Sequence, residues 1–299
     1  GLNEMYNTYN PVSFDNVIFS GNECAAWNCV GGGLYSWQAV EIFITNSAFF
    51  DNEAYLGGGL YLHNSSSLYL DKVTITDNIA TSGAGIYARY GSVAAITNSI
   101  IVDNDGESQI TIHENEWYQE NEVIANVDIS YTNLQGGLDS VFDVDGNISW
   151  GEGNINADPL ITDPTNGDYT LEWGSPCINA ADPSGDPDPD GSYRDMGAYT
   201  FDMYDDGAIR TGVVSINEIM VHPLVEGNET NNEYFEIYNP SVESIWLHEW
   251  SLSMDEGNAH IIDDINLIIH PENYIVFART DLADNGGFVP DYLYTGIPP

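Results

Sequence analysis

The chain has 299 residues, enough for two domains with separate hydrophobic cores, and it carries 47 Asp and Glu against five Lys and Arg. The formal charge of −42 excludes nucleic acid and anionic membranes as partners, because like charges repel. Disorder is excluded by a composition with 42% hydrophobic and 12% aromatic residues. No apolar run reaches the roughly 18 residues that a membrane-spanning helix needs.

One phrase occurs four times between residues 14 and 104, and it predicts a repeat architecture. The copies end at Asn22, Asn52, Asn78 and Asn104, which lie 30, 26 and 26 residues apart. A glycine-rich phrase follows the first three copies, as Gly31-Gly-Gly-Leu-Tyr35, Gly57-Gly-Gly-Leu-Tyr61 and Gly83-Ala-Gly-Ile-Tyr87. A fixed period with alternating apolar residues is typical of a solenoid built from short strands. We therefore predict an all-β fold that begins with a parallel β-helix (a β-solenoid), with one coil per repeat.

Stacking the copies in register produces columns of equivalent residues, each with an expected role. Two columns should face the core, and they are Leu34, Leu60, Ile86, Ile110 and Phe19, Phe49, Ile75, Ile101. The four asparagines should form a hydrogen-bonded ladder with a structural role. Asp51, Asp77 and Asp103 would stack roughly 5 Å apart, so that either a cation lies between them or the carboxylates turn into water.

The three cysteines fall at two kinds of position. The interval from Asn22 to Gly33 is four residues longer than its equivalent in the next coil, and it contains Cys24 and Cys29. Either a disulfide staples this loop or both cysteines are free thiols. Cys177, in the phrase Ser-Pro-Cys-Ile, is expected to be a small buried apolar residue.

The columns that vary between coils should face outward, and they hold the candidate functional residues. The first reads Tyr35, Tyr61, Tyr87, Thr111; the next reads Trp37, His63, Arg89, His113; beside it run Gln38, Asn64, Tyr90, Glu114. Tyr and Trp rings stack on sugars, while Arg and His bind hydroxyls and carboxylates. We therefore predict an exposed carbohydrate-binding face, formed by Tyr35, Trp37, Tyr61, His63, Tyr87 and Arg89. The alternative is that the aromatic ladder only stabilises a β surface.

The same face is also a candidate for catalysis on acidic glycans. A β-eliminating lyase needs a base, an acid for the leaving oxygen and a cation that neutralises the uronate carboxylate. His63 or His113 would be the base. Tyr87 would be the acid, and Arg89 would hold the carboxylate. A hydrolase would need two carboxylates roughly 5 to 9.5 Å apart, and the candidates are Glu114 with Glu116 or the column Asp51, Asp77, Asp103.

The glycine and asparagine phrases resemble the right-handed parallel β-helix repeats of the pectate-lyase-like superfamily. A degenerate last coil follows at 126–133, and the next segment resembles the C-terminal end of the choice-of-anchor Q β-helix proteins of bacterial surfaces. The phrases that carry this resemblance are Asn154-Ile-Asn-Ala-Asp-Pro-Leu160, Gly167-Asp-Tyr-Thr-Leu171, Gly174-Ser-Pro-Cys-Ile-Asn-Ala180 and Arg194-Asp-Met-Gly-Ala-Tyr199. The resemblance implies a right-handed β-helix over residues 1–201, in which about 154–201 caps the final coil.

An acidic loop within that segment predicts a Ca²⁺ site. Asp186, Asp188 and Asp190 precede Gly191 in the spacing of the first half of a calcium loop, and Asp195 follows. Prolines at the intervening positions, and Gly197 where a bidentate glutamate would fall, depart from the EF-hand form. The alternative is a solvated acidic turn.

A second domain is predicted after a polar linker at 202–212. Its phrases Ile216-Asn-Glu-Ile-Met220, Glu233-Tyr-Phe-Glu-Ile-Tyr-Asn-Pro240 and Leu247-His-Glu-Trp-Ser-Leu252 resemble the lamin-tail domain. The resemblance implies an immunoglobulin-like β-sandwich over 213–299 that acts as an accessory module without chemistry of its own. Because that family's sandwich continues with further strands, we expect either that the protein runs on or that another chain donates the missing strands.

These features together predict an exported protein of a bacterial surface or the extracellular space. No signal peptide precedes the first coil-like phrase, so we expect an interior piece of a longer protein. The predicted role is structural and adhesive: an adhesin, matrix or filament component that binds polysaccharide or other surface glycans and self-associates end to end. The alternatives are a polysaccharide lyase or hydrolase, and a carbohydrate-binding module without turnover. Ca²⁺ is the one cofactor expected.

Overall fold

The computed structural model of the chain describes residues 11–24, 28–38, 40–113, 124–144, 146–220, 233–253, 259–280 and 289–295. The chain divides into two units. The first comprises Gly1–Asp188 with Tyr193–Phe201, and the second comprises Pro189–Ser192 with Asp202–Pro299. Among the described residues, no helix is long and apolar enough to cross a membrane.

The first unit is a succession of short β-strands, because its apolar residues alternate with a period of two. The strands up to the fourth coil are β1 (Val12–Asp15), β2 (Ile18–Ser20), β3 (Leu34–Trp37), β4 (Glu41–Phe50), β5 (Leu60–His63), β6 (Ser67–Thr76), β7 (Ile86–Arg89), β8 (Val93–Thr97), β9 (Ile100–Val102) and β10 (Ile110–His113). Those that follow are β11 (Asn126–Ser130), β12 (Asn133–Leu134), β13 (Val141–Val144), β14 (Asn147–Trp150), β15 (Ile161–Asp163) and β16 (Asp168–Leu171). Two 3-10 helices lie at Gly137–Ser140 and Pro164–Asn166.

Each strand up to β14 pairs in parallel with its equivalent in a neighbouring coil. One sheet has the order β1-β4-β6-β8-β11-β14, with β2 on β4, β9 on β6 and β12 on β9. The other has the order β3-β5-β7-β10-β13. On a third side, single residues of neighbouring coils pair as isolated parallel β-bridges, from Glu23 through Glu53 and Ile79 to Asp105. This stack is a parallel β-helix, as predicted.

The repeated residues build the interior of the stack. Both predicted core columns are confirmed, because Leu60, Ile86 and Ile110 are fully buried and so are Phe49, Ile75 and Ile101. Burial of one such side chain stabilises a fold by about 1.5–3 kcal/mol. The asparagine ladder is also confirmed. Each rung donates from Nδ2 to Oδ1 of the next, over 2.8 Å from Asn22 to Asn52, 2.8 Å from Asn52 to Asn78 and 2.9 Å from Asn78 to Asn104.

A repeated corner separates the two halves of β4 and of β6. The corner residue of each coil lies in the left-handed region, with φ of 55° at Asn16, 48° at Asn46, 55° at Lys72 and 52° at Asn98. Asparagine tolerates this conformation better than other residues with a Cβ atom. One coil therefore departs from the repeat by placing a lysine at the corner.

The segment after the last coil takes a path that the sequence analysis did not predict. Ile155 still bridges to Asn133, so the segment begins by extending the final coil. Beyond it, residues 158–188 and 193–201 (the flank segment) turn back along the side of the stack. The ring of Tyr169 packs 4.3 Å from that of Phe50, and the main-chain N–H of Ala198 donates to Thr74 Oγ1 over 3.0 Å.

The prediction that this segment caps the final coil is therefore wrong for most of its length. The physical reason lies in the side of the stack that it covers. The residues of β6 and β9 that point away from the core include Thr74, Thr76, Ile100 and Val102, and all four are buried. A sheet whose two faces are both buried must pack against other parts of the protein on each side. The inner face packs in the core of the coils, and the flank segment packs on the outer face.

Of the two alternatives for the cysteines of the first loop, a disulfide or two free thiols, the structure has the disulfide. Cys24 and Cys29 form a disulfide, with their Cα atoms 5.8 Å apart. Cys177 is free and fully buried in the flank segment, as predicted. The side-chain amide of Asn133 donates to its sulfur over 3.2 Å.

The second unit is an all-β assembly of small sheets. Its strands are β17 (Ser215–Met220), β18 (Tyr234–Tyr238), β19 (Ile245–Trp246), β20 (Ser251–Ser253), β21 (Ala259–Ile261), β22 (Ile268–Ile269), β23 (Tyr274–Ala278) and β24 (Tyr292–Leu293). The largest sheet has the order β17-β18-β23-β24, antiparallel except for β23 with β24, and two antiparallel pairs join β19 to β22 and β20 to β21. Antiparallel sheets around the buried residues Ile245, Leu247 and Phe277 form a sandwich-like unit, which confirms the predicted fold class.

Candidate functional site

The predicted aromatic face lies on the sheet formed by β3, β5, β7 and β10. Pairing aligns Tyr35 with Tyr61 and Tyr61 with Tyr87, so the tyrosines form the expected column. Their ring centroids are 5.7 Å and 5.2 Å apart. The second column, Trp37, His63, Arg89 and His113, is aligned in the same way.

Exposure separates the members of the tyrosine column. Tyr35 is 49% exposed, whereas Tyr61 and Tyr87 are only 2% and 4% exposed. The prediction that Tyr61 and Tyr87 belong to an exposed carbohydrate-binding face is therefore wrong, because neither buried ring can present a face to a sugar. Alternation determines the side to which a residue points, but not how far the neighbouring side chains on that side, such as Tyr35, His63 and Arg89 around Tyr61, cover it. Burial also raises the pKa of Tyr61 and raises that of Tyr87 to about 12.

Arg89 differs from the other basic residues of this acidic chain. The remaining four form ion pairs with carboxylates at 2.8–2.9 Å: Lys72 with Asp188, Arg194 with Asp71, Arg210 with Glu249, and Arg279 with Glu233. Within the part of the chain that the structure describes, Arg89 has no carboxylate partner. Its guanidinium donates to the hydroxyls of Tyr61 and Tyr90 and lies 3.8 Å from the centre of the Tyr90 ring. Its Nε is buried and has no hydrogen-bond partner among the described residues.

His63 lies beside this guanidinium and is held neutral by its surroundings. Burial, and then the positive charge of Arg89, lower the pKa of His63 below its usual value. Its Nδ1 is buried without a partner in the described structure. The ring lies between Trp37, at 6.5 Å, and Tyr90, at 4.8 Å. Because Trp37 is 53% exposed, these residues with Tyr35 form one accessible surface, the aromatic–arginine patch (Tyr35, Trp37, His63, Arg89, Tyr90).

This arrangement supplies part of the chemistry of a lyase. His63 is neutral and is therefore able to accept a proton, and Arg89, which has no carboxylate partner among the described residues, is able to bind one. Tyr87 does not fit the role of acid, because it is buried and holds its proton tightly. The ring of His113 lies 6.3 Å from that of Tyr87. Glu114 and Glu116, the predicted hydrolase pair, lie outside the described residues.

The aspartate column does not form an open pair of carboxylates. Asp103 accepts a hydrogen bond from Nε2 of Gln135 over 2.9 Å. Burial, and then the charge of Asp51, raise the pKa of Asp77, while a hydrogen bond from Tyr169 of the flank segment opposes the rise. Two of the three carboxylates, those of Asp77 and Asp103, are thus engaged by neighbouring polar side chains.

Two aspartates of the predicted calcium loop, Asp188 and Asp190, bind protein groups in the structure. Asp188 pairs with Lys72, and its Oδ2 accepts the main-chain N–H of Asp195 over 2.9 Å. Asp190 accepts the N–H groups of Ser192 and Met203, each over 2.9 Å. Asp186 is exposed. Among the described residues, no three His, Cys, Asp or Glu side chains converge on a point that could hold a metal ion.

Sequence reasoning missed one concavity on the third side of the stack. A wide groove of about 550 Å³ follows the bridges after the asparagine ladder, and its lining includes Glu53, Tyr55, Thr81, Asp105 and Glu107. The signal in the sequence was the position of these residues one and three places after Asn52, Asn78 and Asn104, where each coil makes the same turn. The groove is acidic and open, so it suits cations better than anions.

Comparisons with known proteins support the fold of the first unit. Residues 7–146 match the family described as right-handed β-helix region. No match was found among curated proteins or among solved structures. The coil stack is therefore a right-handed parallel β-helix. The finer resemblances, to pectate-lyase-like proteins, choice-of-anchor Q proteins and lamin-tail domains, stay predictions.

Proposed function

We propose that this protein is a non-catalytic structural and adhesive module, exported to a bacterial surface or the extracellular space, that binds acidic glycans through the aromatic–arginine patch. The observation that carries the proposal is the state of Arg89. The chain has 47 acidic residues, and four of its five Lys and Arg residues form ion pairs with carboxylates, whereas Arg89 contacts aromatic hydroxyls and no carboxylate among the residues that the structure describes.

The structural part of the proposal follows from how the repeat is used. The residues that recur in every coil form ladders, corners and core, which are the parts of a stiff stack. Buried side-chain hydrogen bonds between coils make such a stack rigid, because breaking one leaves unsatisfied polar groups. A rigid rod suits a matrix or filament component, and electron microscopy of the native material would show regular fibres if the rods join end to end.

The binding part follows from the chemistry of the patch. An arginine without a carboxylate partner binds a uronate carboxylate through two parallel N–H donors. Trp37 and Tyr35 are exposed on the same face two coils away, about 10 Å along the stack, and offer ring faces to a neighbouring sugar of the chain. The net charge opposes the approach of an anionic chain, but at physiological salt this repulsion is screened beyond about 8 Å.

Calorimetric titration with polygalacturonate and alginate tests the binding, with dextran as the uncharged comparison. We expect Arg89→Gln and Trp37→Ala each to weaken uronate binding by about tenfold or more. Trp150→Ala is the matched control, because it removes another exposed tryptophan, at 39% exposure, from β14 of the other sheet. Absence of binding to every uronate, or equal loss in the control, would contradict the proposal.

A polysaccharide lyase is the second candidate, and the neutral His63 beside Arg89 is the observation that favours it. Its test is the ultraviolet absorbance of unsaturated uronate products, measured with and without Ca²⁺. Product formation that is lost in His63→Ala would establish the lyase. A flat trace on every uronate would remove it and leave binding without turnover.

A further inference from the structure

One buried contact joins the coil stack to the flank segment at the corner where the repeat is broken. Equivalent corners carry Asn16, Asn46 and Asn98, but the third coil has Lys72, in the left-handed conformation at a φ of 55°. Lysine has none of the local hydrogen bonding that lets asparagine adopt this conformation easily. Its presence there therefore points to a role for the side chain.

The side chain of Lys72 meets a carboxyl group away from water. Its Nζ lies 2.9 Å from Oδ1 of Asp188 and 3.2 Å from Oγ1 of Thr200. The Lys72 and Asp188 side chains are only 5% and 7% exposed. The other ion pair between the flank segment and the stack, Arg194 with Asp71, is 20% and 38% exposed and is typical of a surface contact.

The surroundings of Asp188 hold its carboxyl group in a reactive position. Oδ2 accepts the main-chain N–H of Asp195, so a donor already stands where negative charge would develop if the carboxyl carbon were attacked. The carboxyl of Asp195 is buried nearby, and its oxygens accept the N–H groups of Asn179 and Phe201, each over 2.7 Å. Burial is the main cause that raises the pKa of Asp195 to about 7.

Burial changes the chemistry open to a lysine and an aspartate in contact. Separate charges are costly in a dry interior, so transfer of one proton from the ammonium to the carboxylate, which leaves a neutral amine and a carboxylic acid, becomes accessible. A neutral lysine amine is a nucleophile. Fixed contact between two reactants replaces a bimolecular encounter by an intramolecular step, and it raises the rate by many orders of magnitude.

We propose that Lys72 and Asp188 react with each other to form an amide, an isopeptide bond that fastens the flank segment to the third coil. The Nζ lone pair of the neutral amine attacks Cγ of the protonated Asp188 carboxyl, and the C–N bond forms while Oδ2, held by the Asp195 N–H, takes up the negative charge. A proton from Nζ moves to Oδ1, the C–Oδ1 bond breaks, and Oδ1 leaves as water. Atoms and electrons balance without any oxidant, reductant or cofactor.

The bond would close a covalent loop between positions 116 residues apart in sequence. Such a closure holds the two ends of the loop together even in the unfolded chain. An amide carries no charge. The bond would therefore remove the desolvation cost of burying the charged Lys72 and Asp188 side chains.

Mass spectrometry of the intact, denatured and reduced protein tests the proposal. We expect the wild-type mass to fall below the sequence mass by one water molecule, and Lys72→Arg to have the full sequence mass. Asp71→Asn is the matched control, because it removes the other ion pair between the coils and the flank segment, that of Asp71 with Arg194. This variant should still have a mass one water molecule below its sequence mass. A succinimide at an Asp–Gly bond would lose the same mass, so a peptide map must locate the change.

Trypsin provides that map, since the chain has only five Lys and Arg. An acylated lysine resists trypsin, so the bonded protein should yield residues 1–89 uncut at Lys72 and joined to residues 90–194. Cleavage after Lys72, or a deficit that persists in Lys72→Arg, would overturn the proposal. A full wild-type mass both after purification and after prolonged incubation at neutral pH would overturn it as well.

Discussion

The side-chain amide of Asn52 donates to Oδ1 of Asn78 over 2.8 Å, and neither side chain is accessible to solvent. Asn78 repeats the relationship with Asn104 and also donates to the main-chain carbonyls of Phe49 and Thr76, at 2.9 Å and 3.0 Å. One asparagine therefore satisfies polar groups in three successive coils. A missing rung leaves partners on both sides without hydrogen bonds.

Asn78→Ala is expected to destabilise the first unit strongly. The substitution removes the acceptor of the main-chain N–H and of one side-chain N–H of Asn52, and it removes the donor to two main-chain carbonyls, at a cost of about 2–4 kcal/mol in the free energy of unfolding. Urea denaturation followed by circular dichroism measures the change. Asn147→Ala, at an exposed position of β14, is the control and should change the free energy by less than about 0.5 kcal/mol. Equal effects of the two substitutions would contradict a structural ladder.

Asp77→Asn is expected to stabilise the protein at neutral pH. The pKa of Asp77 is raised above 3.8 in the folded state, first by burial and then by Asp51, so the folded state binds the proton more tightly than the unfolded state does. Stability from this group is therefore full below about pH 3.8 and is lost as the pH rises through the folded pKa. The gain in Asp77→Asn should be present at pH 7 and absent at acid pH.

Asp128→Asn is the comparison for that experiment, because it removes an exposed carboxylate from β11 of the same unit. It measures how much the free energy of unfolding rises when any one negative charge is removed from a chain with a formal charge of −42. Denaturation midpoints at several pH values should show a larger gain at position 77 than at position 128. A gain at position 77 that does not depend on pH would refute the role of ionisation.

The His63 ring is expected to titrate below its usual pKa of 6.5. The folded state prefers the neutral ring, so the stability from this group is present above pH 6.5 and is lost as the pH falls through the folded pKa. Arg89→Gln should move the pKa only part of the way back, because burial is the larger cause. Ring-proton NMR measures both values, and His63→Gln assigns the signal. A pKa that does not respond to Arg89→Gln would show that the two side chains are not coupled.

The Cys177 thiol is expected to be inert in the native protein. It is fully buried, and burial raises its pKa to about 11, so the reactive thiolate is scarce at neutral pH. A disulfide reagent should detect no thiol in the folded protein and one after denaturation without reductant, since Cys24 and Cys29 are bonded. Cys177→Ser should remove that signal. Rapid labelling of the native wild type would show that the flank segment opens easily.

The sequence predicted those features that depend on residues one repeat apart. The register of Tyr35, Tyr61 and Tyr87 follows from the period alone, since parallel strands align equivalent positions. The asparagine ladder follows for the same reason. Alternation also distinguished the core columns, because inward and outward residues differ in polarity.

Features that depend on distant parts of the chain were not predictable in this way. The pairing of Lys72 with Asp188 joins positions 116 residues apart, and no period relates them. The path of the flank segment is of the same kind, because it depends on which outward face of the stack is left uncovered. The acidic loop at Asp186–Asp190 matched a calcium pattern locally, but the partners of its carboxylates are set by the fold.

The spacing of the rungs has a consequence for how such a chain can change in length. Asn52, Asn78 and Asn104 follow one another at intervals of 26 residues, and each of the first two rungs donates to the equivalent asparagine of the next coil. Duplicating or deleting 26 residues in this region would keep strands, corners and ladder in register, whereas loss of a single residue would shift all three out of alignment. Variation among natural copies of this chain should therefore come in whole coils, with rod length free to vary while the cross-section stays constant.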